Sequence, residues 1–250
     1  MKILAIDTSG LVCAAAVTDN GQLLAEYRTQ LKKTHSQMLL PMLDALRQAI
    51  DLDLSTIDCI AVAEGPGSFT GLRIGAATAK GLAFALGIPV VPVPTLDAMA
   101  WQLLGEPGTV CPMMDARRGQ VYTGLYRFGD TPRTMETLFA PAAVSAEEIA
   151  ERVNAIGEPA VFLGDGEPVY RETLARVCTV PYRVAPSWKN RQSAAVLADL
   201  ADVLAGAGGM VDADTFAPVY LRASQAEREA AEKAARAAKT GQTGTGEQID

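Results

Sequence analysis

The stretch that decides the fold is GPGSFTGLRIG at residues 65–75, which follows an apolar run from Cys59 to Ala63. Glycines allow the positive φ angles and the close backbone approaches of a tight turn. Ser68 or Thr70 can cap a helix by accepting hydrogen bonds from its free N–H groups. The pattern therefore predicts a strand, a glycine turn and a helix over 71–86.

The same turn is a candidate anion site, because a helix N-terminus presents free donors and a partial positive charge. It departs from the standard nucleotide loops, since Leu72 stands where a P-loop needs lysine and a G-x-G-x-x-G pattern from Gly65 ends on Thr70. A phosphate-binding turn and a purely structural turn both remain open. The candidate phosphate-like positions combine this turn with the acidic turn after the first strand: Asp7, Thr8, Ser9, Gly65, Gly67, Ser68 and Thr70.

Length and charge set the class of protein. The 250 residues are 49% hydrophobic, enough for one large or two small domains. The formal net charge is −7 and no Lys/Arg run exceeds two residues, which argues against direct binding to nucleic-acid phosphates. No signal-peptide core or membrane span is predicted, so we expect a cytoplasmic protein. The four cysteines form no C-x-x-C pair and are expected to be reduced core residues.

Hydrophobic periodicity divides the first hundred residues into alternating elements. Asn20-Gly21 signals a hairpin, and Thr95 is a candidate helix cap. The predicted order is three strands, a helix, a strand, the glycine turn with its helix, a strand and a last helix: 2–7, 11–17, 22–27, 39–50, 58–63, 71–86, 88–91 and 95–104.

The second half repeats this plan loosely. Three strands and a helix that starts in a capping box at Ser145 lead to a strand ending in Gly164-Asp165-Gly166, and a core helix follows at 193–205. Two copies of one pattern indicate a duplicated α/β architecture with a cleft between two lobes. We assign the chain to three parts: an N-terminal lobe at 1–108, a C-terminal lobe at 109–222, and a charged, alanine-rich helix with a disordered tail at 223–250.

Four motifs, in order, resemble the bacterial TsaB (YeaZ) family: AIDTS at 5–9, GPGSFTGLR at 65–73, MDARRGQVY at 114–122 and PVYLR at 218–222. The resemblance runs from residue 1 to about residue 222. It implies the duplicated, two-lobed actin/sugar-kinase/Hsp70-like (ASKHA) α/β fold. It also implies a noncatalytic paralogue and obligate activator of TsaD, the enzyme that transfers a threonylcarbamoyl group to the adenosine next to the tRNA anticodon.

The resemblance further implies partners and the absence of a cofactor. A TsaD-like catalytic paralogue and a TsaE-like ATPase are the expected partners, with a homodimer when the chain is alone, only indirect contact with tRNA and no membrane contact. The catalytic relative holds metal through two histidines at i and i+4 on a helix. Here His35 is the only histidine, and Leu39 stands at the second place. We therefore expect no catalytic residue, no metal and no cofactor on this chain alone; a nucleotide at an interface shared with partners stays open.

Two charged groups keep two interpretations each. Asp7 lies where ATPases of this superfamily handle phosphate and magnesium, but it can equally cap its own turn through the backbone. Arg117 and Arg118 can grip a carboxylate or phosphate bidentately, or they can be turn charges. His35 is interpreted as a polar residue at a helix start.

A stripe of small residues recurs every four positions on the helix after the glycine turn: Gly71, Gly75, Ala79 and Ala83. Such a stripe lets another element approach closely, and glycine there costs roughly 1 kcal/mol relative to alanine. The contact can be internal, against a helix at 37–50, or across subunits. The resemblance implies that first-lobe helices pair with TsaD, so we predict the stripe to be a partner interface.

The rival interpretation is an enzyme in its own right, an ATP-dependent phosphotransferase or a metallohydrolase of the same superfamily. The single histidine weighs against the hydrolase, and the missing loop lysine weighs against the kinase. A homodimeric storage or adaptor protein unrelated to tRNA is a third class.

Overall fold

The computed structural model describes residues 1–31 and 33–222, and its first half forms one five-stranded sheet. Strands β1, β2 and β3 are an antiparallel meander, while β4 and β5 run parallel to β1, in the order β3-β2-β1-β4-β5. The elements are β1 (Lys2–Asp7), β2 (Cys13–Asp19), β3 (Gln22–Thr29), α1 (His35–Ala49), β4 (Cys59–Gly65), α2 (Phe69–Leu86), β5 (Val90–Pro94) and α3 (Thr95–Trp101).

The second half repeats this topology. Its sheet has the order β10-β9-β6-β7-β8. Read from the other edge, this is β8-β7-β6-β9-β10, which matches the order β3-β2-β1-β4-β5 of the first sheet strand by strand. The elements are β6 (Thr109–Arg117), β7 (Gln120–Phe128), β8 (Met135–Ser145), α4 (Ala146–Ile156), β9 (Ala160–Leu163), α5 (Gly166–Val177), β10 (Tyr182–Val184) and α6 (Ala194–Gly206). The predicted duplicated, two-lobed α/β fold is confirmed.

Alternating side chains give each sheet two apolar faces. In β1, Ile3 and Ala5 face one core cluster and Leu4 and Ile6 face another. Helices α1 and α2 cover the outer face of the first sheet, and α4 and α5 cover the outer face of the second. The inner faces look towards each other and are covered by α3 and α6.

Helix α3 lies between the two sheets: it packs Leu96 and Met99 against the second and Ala98 and Trp101 against the first. Helix α6 follows the second sheet along the chain but packs Leu197 and Ala201 against the first. The assignment of all of 109–222 to the second lobe is therefore corrected: α6 and the segment from Val211 to Tyr220 pack on the first lobe. The physical reason is the row of alanines in β1, β2 and β4, whose low side chains let α6 approach the sheet closely.

Most predicted starts and turns are confirmed. Asn20 and Gly21 both have positive φ in the two-residue hairpin loop. Ser68 accepts from Gly71 N–H and Ser145 accepts from Glu148 N–H at their helix starts. The cap at Thr95 is wrong, because the helix is preceded by Pro94 and the Thr95 hydroxyl is buried without a partner.

Two elements of the second half, α5 and β10, were missing from the prediction. Pro168 and a non-helical Tyr170 interrupt the regular pattern of α5, and β10 has only three residues. The predicted helix and tail at 223–250 lie outside the described residues. Among the described residues, no helix is long and apolar enough to cross a membrane.

The four cysteines are free, as predicted, and three of them, Cys13, Cys59 and Cys111, are buried. Burial raises the pKa of Cys13 and of Cys59 to about 11. These thiols are therefore protonated and unreactive near neutral pH.

Candidate functional site in the cleft between the lobes

A cleft of about 580 Å³ lies between the two lobes. The first lobe contributes the turn after β1, the start of α1 and the start of α2; the second lobe contributes the turn after β6 and the turn after β9. Four of the seven candidate phosphate-like residues line it, namely Ser9, Gly67, Ser68 and Thr70, while Asp7, Thr8 and Gly65 do not.

Asp7 lies behind the cleft wall and is 1% exposed. One oxygen of its carboxylate, Oδ1, accepts from Ser9 N–H at 2.8 Å and from Ser9 Oγ at 2.6 Å. Burial raises the pKa of Asp7, and the two hydrogen bonds from Ser9 act in the opposite direction. These contacts are those of a carboxylate that caps its own turn, which is the second of the two interpretations given to Asp7.

The start of α2 forms the facing part of the first-lobe wall. Ser68 N–H donates to Ser9 O at 2.7 Å, so the glycine turn is tied to the turn after β1. Ser68 Oγ accepts from Gly71 N–H at 3.3 Å and so uses one of the free donors of the helix start. Gly67 and Thr70 line the cleft beside it.

The small-residue stripe of α2 is occupied inside the first lobe. Thr8 Oγ1 donates to Gly71 O at 2.7 Å, and a Cβ added at Gly71 or at Gly75 would overlap with Thr8 atoms. Ala79 and Ala83 are buried at 0% and 1% exposure in the outer core of the first sheet. These four residues were predicted to form a partner interface; in the structure they contact the turn after β1 and the sheet inside the first lobe, which is the internal alternative, and Gly71 also lines the cleft.

His35 is the first residue of α1 and lines the cleft. Its Nε2 lies 2.9 Å from Gly10 O, and because a carbonyl oxygen only accepts, Nε2 carries the proton. Leu39, one turn later, is buried in the outer core at 1% exposure. Within the described part of the chain, no three His, Cys, Asp or Glu side chains group closely enough to hold a metal ion.

The second-lobe wall carries two acidic residues. Asp115 Oδ1 accepts from Arg117 N–H at 2.9 Å, and Asp165 Oδ1 accepts from Asp115 N–H at 3.3 Å. Burial raises the pKa of Asp165, with the hydrogen bond from Asp115 N–H acting against it. Asp165 was not predicted to line the cleft, although the second strand followed by a glycine turn, at 164–166, indicated a turn equivalent to the one at 65–67.

Arg117 and Arg118 lie in the turn after β6, where both have positive φ and Gly119 follows with the same sign. The Arg117 guanidinium is 3.4 Å from Asp115 Oδ2, and its side chain is 81% exposed. Arg117 lines the cleft mouth. The geometry is that of a turn charge with one weak surface ion pair.

The side of α1 and α2 that faces away from the sheet exposes two large apolar side chains, with the charged Asp44, Arg47 and Arg73 among its other exposed residues. We call it the outer face of the first lobe and define it by Leu40, which is 60% exposed, and Phe84, which is 83% exposed, together with the exposed α2 positions Arg73, Ala77 and Gly81. An apolar groove of about 180 Å³ lies beside Leu40, between α1, the short 3-10 helix Leu54–Thr56 and Leu82.

Comparison with known proteins identifies the family. The model of the TsaD family, described as tRNA N6-adenosine threonylcarbamoyltransferase, matches residues 22–233. A protein of Bacillus subtilis named tRNA threonylcarbamoyladenosine biosynthesis protein TsaB is 34% identical over 227 residues, which are 91% of this chain and 96% of that protein. The chain belongs to the TsaB family.

Other TsaB relatives agree in sequence and in structure. The Escherichia coli protein of the same name is 34% identical over 169 residues, which are 66% of this chain and 72% of that protein. The structure of YeaZ from Pseudomonas aeruginosa superposes with a TM-score of 0.75 at 32% identity and covers 88% of this chain and 99% of that one. The resemblance to TsaB (YeaZ) found in the four motifs is thus confirmed.

Proposed function

We propose that this chain is a noncatalytic activating subunit in threonylcarbamoyladenosine biosynthesis, which binds a TsaD-type transferase and enables transfer to the adenosine next to the tRNA anticodon. The observation that carries the proposal is a TsaB-family chain whose only histidine donates to a backbone carbonyl. The position one turn later is a core leucine, Leu39, so α1 offers one imidazole where a metal site needs a pair.

The cleft chemistry supports the noncatalytic part. A phosphotransferase needs a carboxylate that faces the nucleotide and its metal, but the Asp7 carboxylate faces its own turn and accepts from Ser9. The helix start at Ser68 lacks the lysine of a P-loop. We infer that the chain alone holds neither metal nor nucleotide, and that a nucleotide, if one is used, sits at an interface with a partner.

The outer face of the first lobe supports the partner-binding part. Phe84 and Leu40 are large apolar side chains in contact with water, and aromatic and aliphatic anchors of this kind dominate protein interfaces. We propose that a TsaD-like paralogue covers this face, that a second copy of the chain covers it when the paralogue is absent, and that a TsaE-like ATPase joins the complex. The net charge of −7 fits indirect contact with tRNA through the partners.

The decisive experiment depletes the chain in its parent cell and measures modified nucleosides in tRNA by mass spectrometry. We expect threonylcarbamoyladenosine to fall and to return when the chain is supplied from a plasmid. Unchanged threonylcarbamoyladenosine after verified depletion would contradict the proposal. The chain is expected to act in the cytoplasm, and cell fractionation should find it there together with the transferase.

The enzyme alternative is tested on the purified chain. Steady-state ATP turnover and metal content by mass spectrometry are both expected to be negligible, and a transferase of the same cell, purified in parallel, serves as the positive control for bound metal. Stoichiometric zinc or iron, or sustained ATP hydrolysis without partners, would favour the phosphotransferase or metallohydrolase.

A further inference from the structure

Residues 218–222, the PVYLR motif, have no part in the function proposed above, yet they pass from the first lobe, beside the glycine turn, to the second lobe. The segment before them is fixed to the first lobe, because Phe216 is buried in its outer core and Lys80 Nζ donates to Phe216 O at 2.9 Å. From this anchor the chain passes the glycine turn and reaches the second lobe at Arg222.

Backbone contacts hold the first part of the motif. Val219 N–H donates to Glu64 O at 2.7 Å, which extends the hydrogen bonding of β4. Gly65 follows Glu64 with a φ of 123°, and a Cβ there would overlap with Val219 O. The glycine that opens the GPG turn is thus required by the passage of residues 218–222.

Side-chain contacts hold the next residue. The Tyr220 ring lies 4.9 Å from the Phe69 ring, and Arg73 Nε donates to Tyr220 Oη at 3.3 Å. The Arg73 guanidinium also lies 4.0 Å from the Phe69 ring centre. Tyr220, Phe69 and Arg73 therefore form one stack on the first turn of α2.

A single hydrogen bond makes the connection to the second lobe. Arg222 Nη1 donates to Ala116 O at 3.0 Å, and Ala116 stands in the cleft wall between Asp115 and Arg117. Among residues 1–31 and 33–222, the motif thus has several contacts with the first lobe and one side-chain hydrogen bond to the second. The end held by fewer contacts is expected to separate first.

We propose that residues 218–222 form an interlobe latch, which sets the width of the cleft and opens by release of Arg222 from Ala116. Helices α3 and α6 lie between the two sheets and are joined there by Trp101 Nε1, which donates to Asp199 Oδ2 at 2.7 Å. Rotation of the lobes about these helices separates the turn after β6 from the glycine turn, and the Arg222 hydrogen bond opposes this rotation.

The test is a distance measurement between the lobes in the full chain. Nitroxide labels at Ala77→Cys on α2 and Glu151→Cys on α4, both exposed, report lobe separation by pulsed dipolar spectroscopy in a Cys178→Ser background. Arg222→Ala should shift the distance distribution to longer values and broaden it. Amide hydrogen exchange in the turn 115–119 should become roughly fivefold faster, as expected for loss of one partly exposed charged hydrogen bond.

The matched control is Arg176→Ala, which removes one exposed arginine from the outer surface of the second lobe. It should leave both measurements unchanged. A distribution in Arg222→Ala that equals that of the unaltered chain would refute the latch, and so would an equal shift in Arg176→Ala. If Arg222→Ala unfolds, Arg222→Met keeps an unbranched side chain of similar length but has no donor for Ala116 O, and the same outcomes apply to it.

Discussion

Helices α1 and α2 of the first lobe and α4 and α5 of the second take equivalent places in the repeated topology, but they present different surfaces. The second-lobe pair carries ion pairs along its exposed side, namely Arg152–Glu148, Arg176–Glu147 and Arg171–Glu167. Among the residues that the structure describes, the first-lobe pair shows one ion pair, Arg47–Asp44, and leaves Leu40 and Phe84 in solvent. The same topology therefore carries a charged, solvated outer face in the second lobe and a more apolar outer face, suited to a partner, in the first.

The difference between the two faces is tested most strongly by placing a negative charge on each of them in turn. Phe84→Asp should weaken binding to a TsaD-type partner about a hundredfold, because a central aromatic anchor is lost and a carboxylate would be buried in its place. Val169→Asp is the matched control, since Val169 is 58% exposed on α5 of the second lobe. Binding is measured by calorimetry or by copurification.

Val169→Asp should bind like the unaltered chain. Both substitutions lie on the surface, so thermal unfolding should show both variants folded, and this separates a lost interface from a lost fold. Equal binding by the Phe84→Asp variant would mean that the partner uses another surface.

Within α2, the buried and exposed sides can be compared by one substitution at two glycines. Gly75→Ala should lower the free energy of unfolding by about 2 kcal/mol, because its Cβ would overlap with Thr8 Oγ1. Gly81→Ala should raise it by about 0.5–1 kcal/mol, since a Cβ there meets nothing within 4 Å and alanine is the better helix former.

Urea unfolding of both variants measures the two changes in the free energy of unfolding, which are expected to have opposite signs. If Gly75→Ala were neutral for stability but abolished partner binding, the stripe would be a partner interface and its packing inside the first lobe would not explain its small residues. If Gly81→Ala weakened binding without loss of stability, close approach of a partner at Gly81 would extend the outer face along α2.

The smallest expected effect is the dependence of stability on pH, which comes from buried carboxyl groups. These groups are unequally distributed between the two lobes. Burial raises the pKa values of Asp7 and Glu64 in the first lobe, of Asp97 in α3 and of Asp165 in the second lobe, and Asp97 adds a repulsive charge to Glu64. The folded state therefore binds these protons more tightly than the unfolded state. Their stabilisation is complete below the unfolded pKa values and is lost as pH rises through the raised ones.

We accordingly expect the free energy of unfolding to be higher near about pH 5 than near about pH 7.5, by about 1 kcal/mol. Asp97→Asn should flatten this slope, because its amide oxygen can still accept from Tyr126 Oη while the charge beside Glu64 is gone. Exposed Asp130→Asn is the control and should keep the slope. A stability that rises steadily from acid to neutral pH would contradict the expected sign.

The turns after β1 and β6 extend the comparison to the cleft. Each contains an aspartate that accepts from the N–H two residues later, Asp7 from Ser9 and Asp115 from Arg117. In the first lobe α2 packs onto the turn through Gly71 and Gly75, which leaves Asp7 fully enclosed. In the second lobe the turn stays open, and Asp115 lines the cleft.

Local chemistry was sufficient for much of the fold. Alternating and helical periodicities predicted the strands of the first sheet and the helices α1, α2, α4 and α6, because each buries one face on a sheet. Ser68 and Ser145 were predictable caps since a cap needs only its own helix start. Thr95 failed as a cap because the preceding residues set the helix start one position earlier, at Pro94.

The cleft itself was only partly predictable. Ser9, Gly67, Ser68 and Thr70 were found from turn signals, while Asp165 was left out because its relation to Asp115 crosses 50 residues of sequence. The direction of a stripe is likewise a tertiary property. Small residues at every fourth position of α2 predict close packing, but only the placement of Thr8 shows on which side it occurs.

The sequence by itself determined the duplicated α/β plan, the family and the unpaired state of His35, because these depend on periodicity, motifs and residue identity. Only the tertiary structure decided that α6 packs on the first lobe, that α3 lies between the two sheets, that the small-residue stripe of α2 packs inside the first lobe and that Arg222 reaches Ala116. These depend on which apolar faces meet, and many pairings of faces bury similar area, so sequence periodicity cannot choose among them.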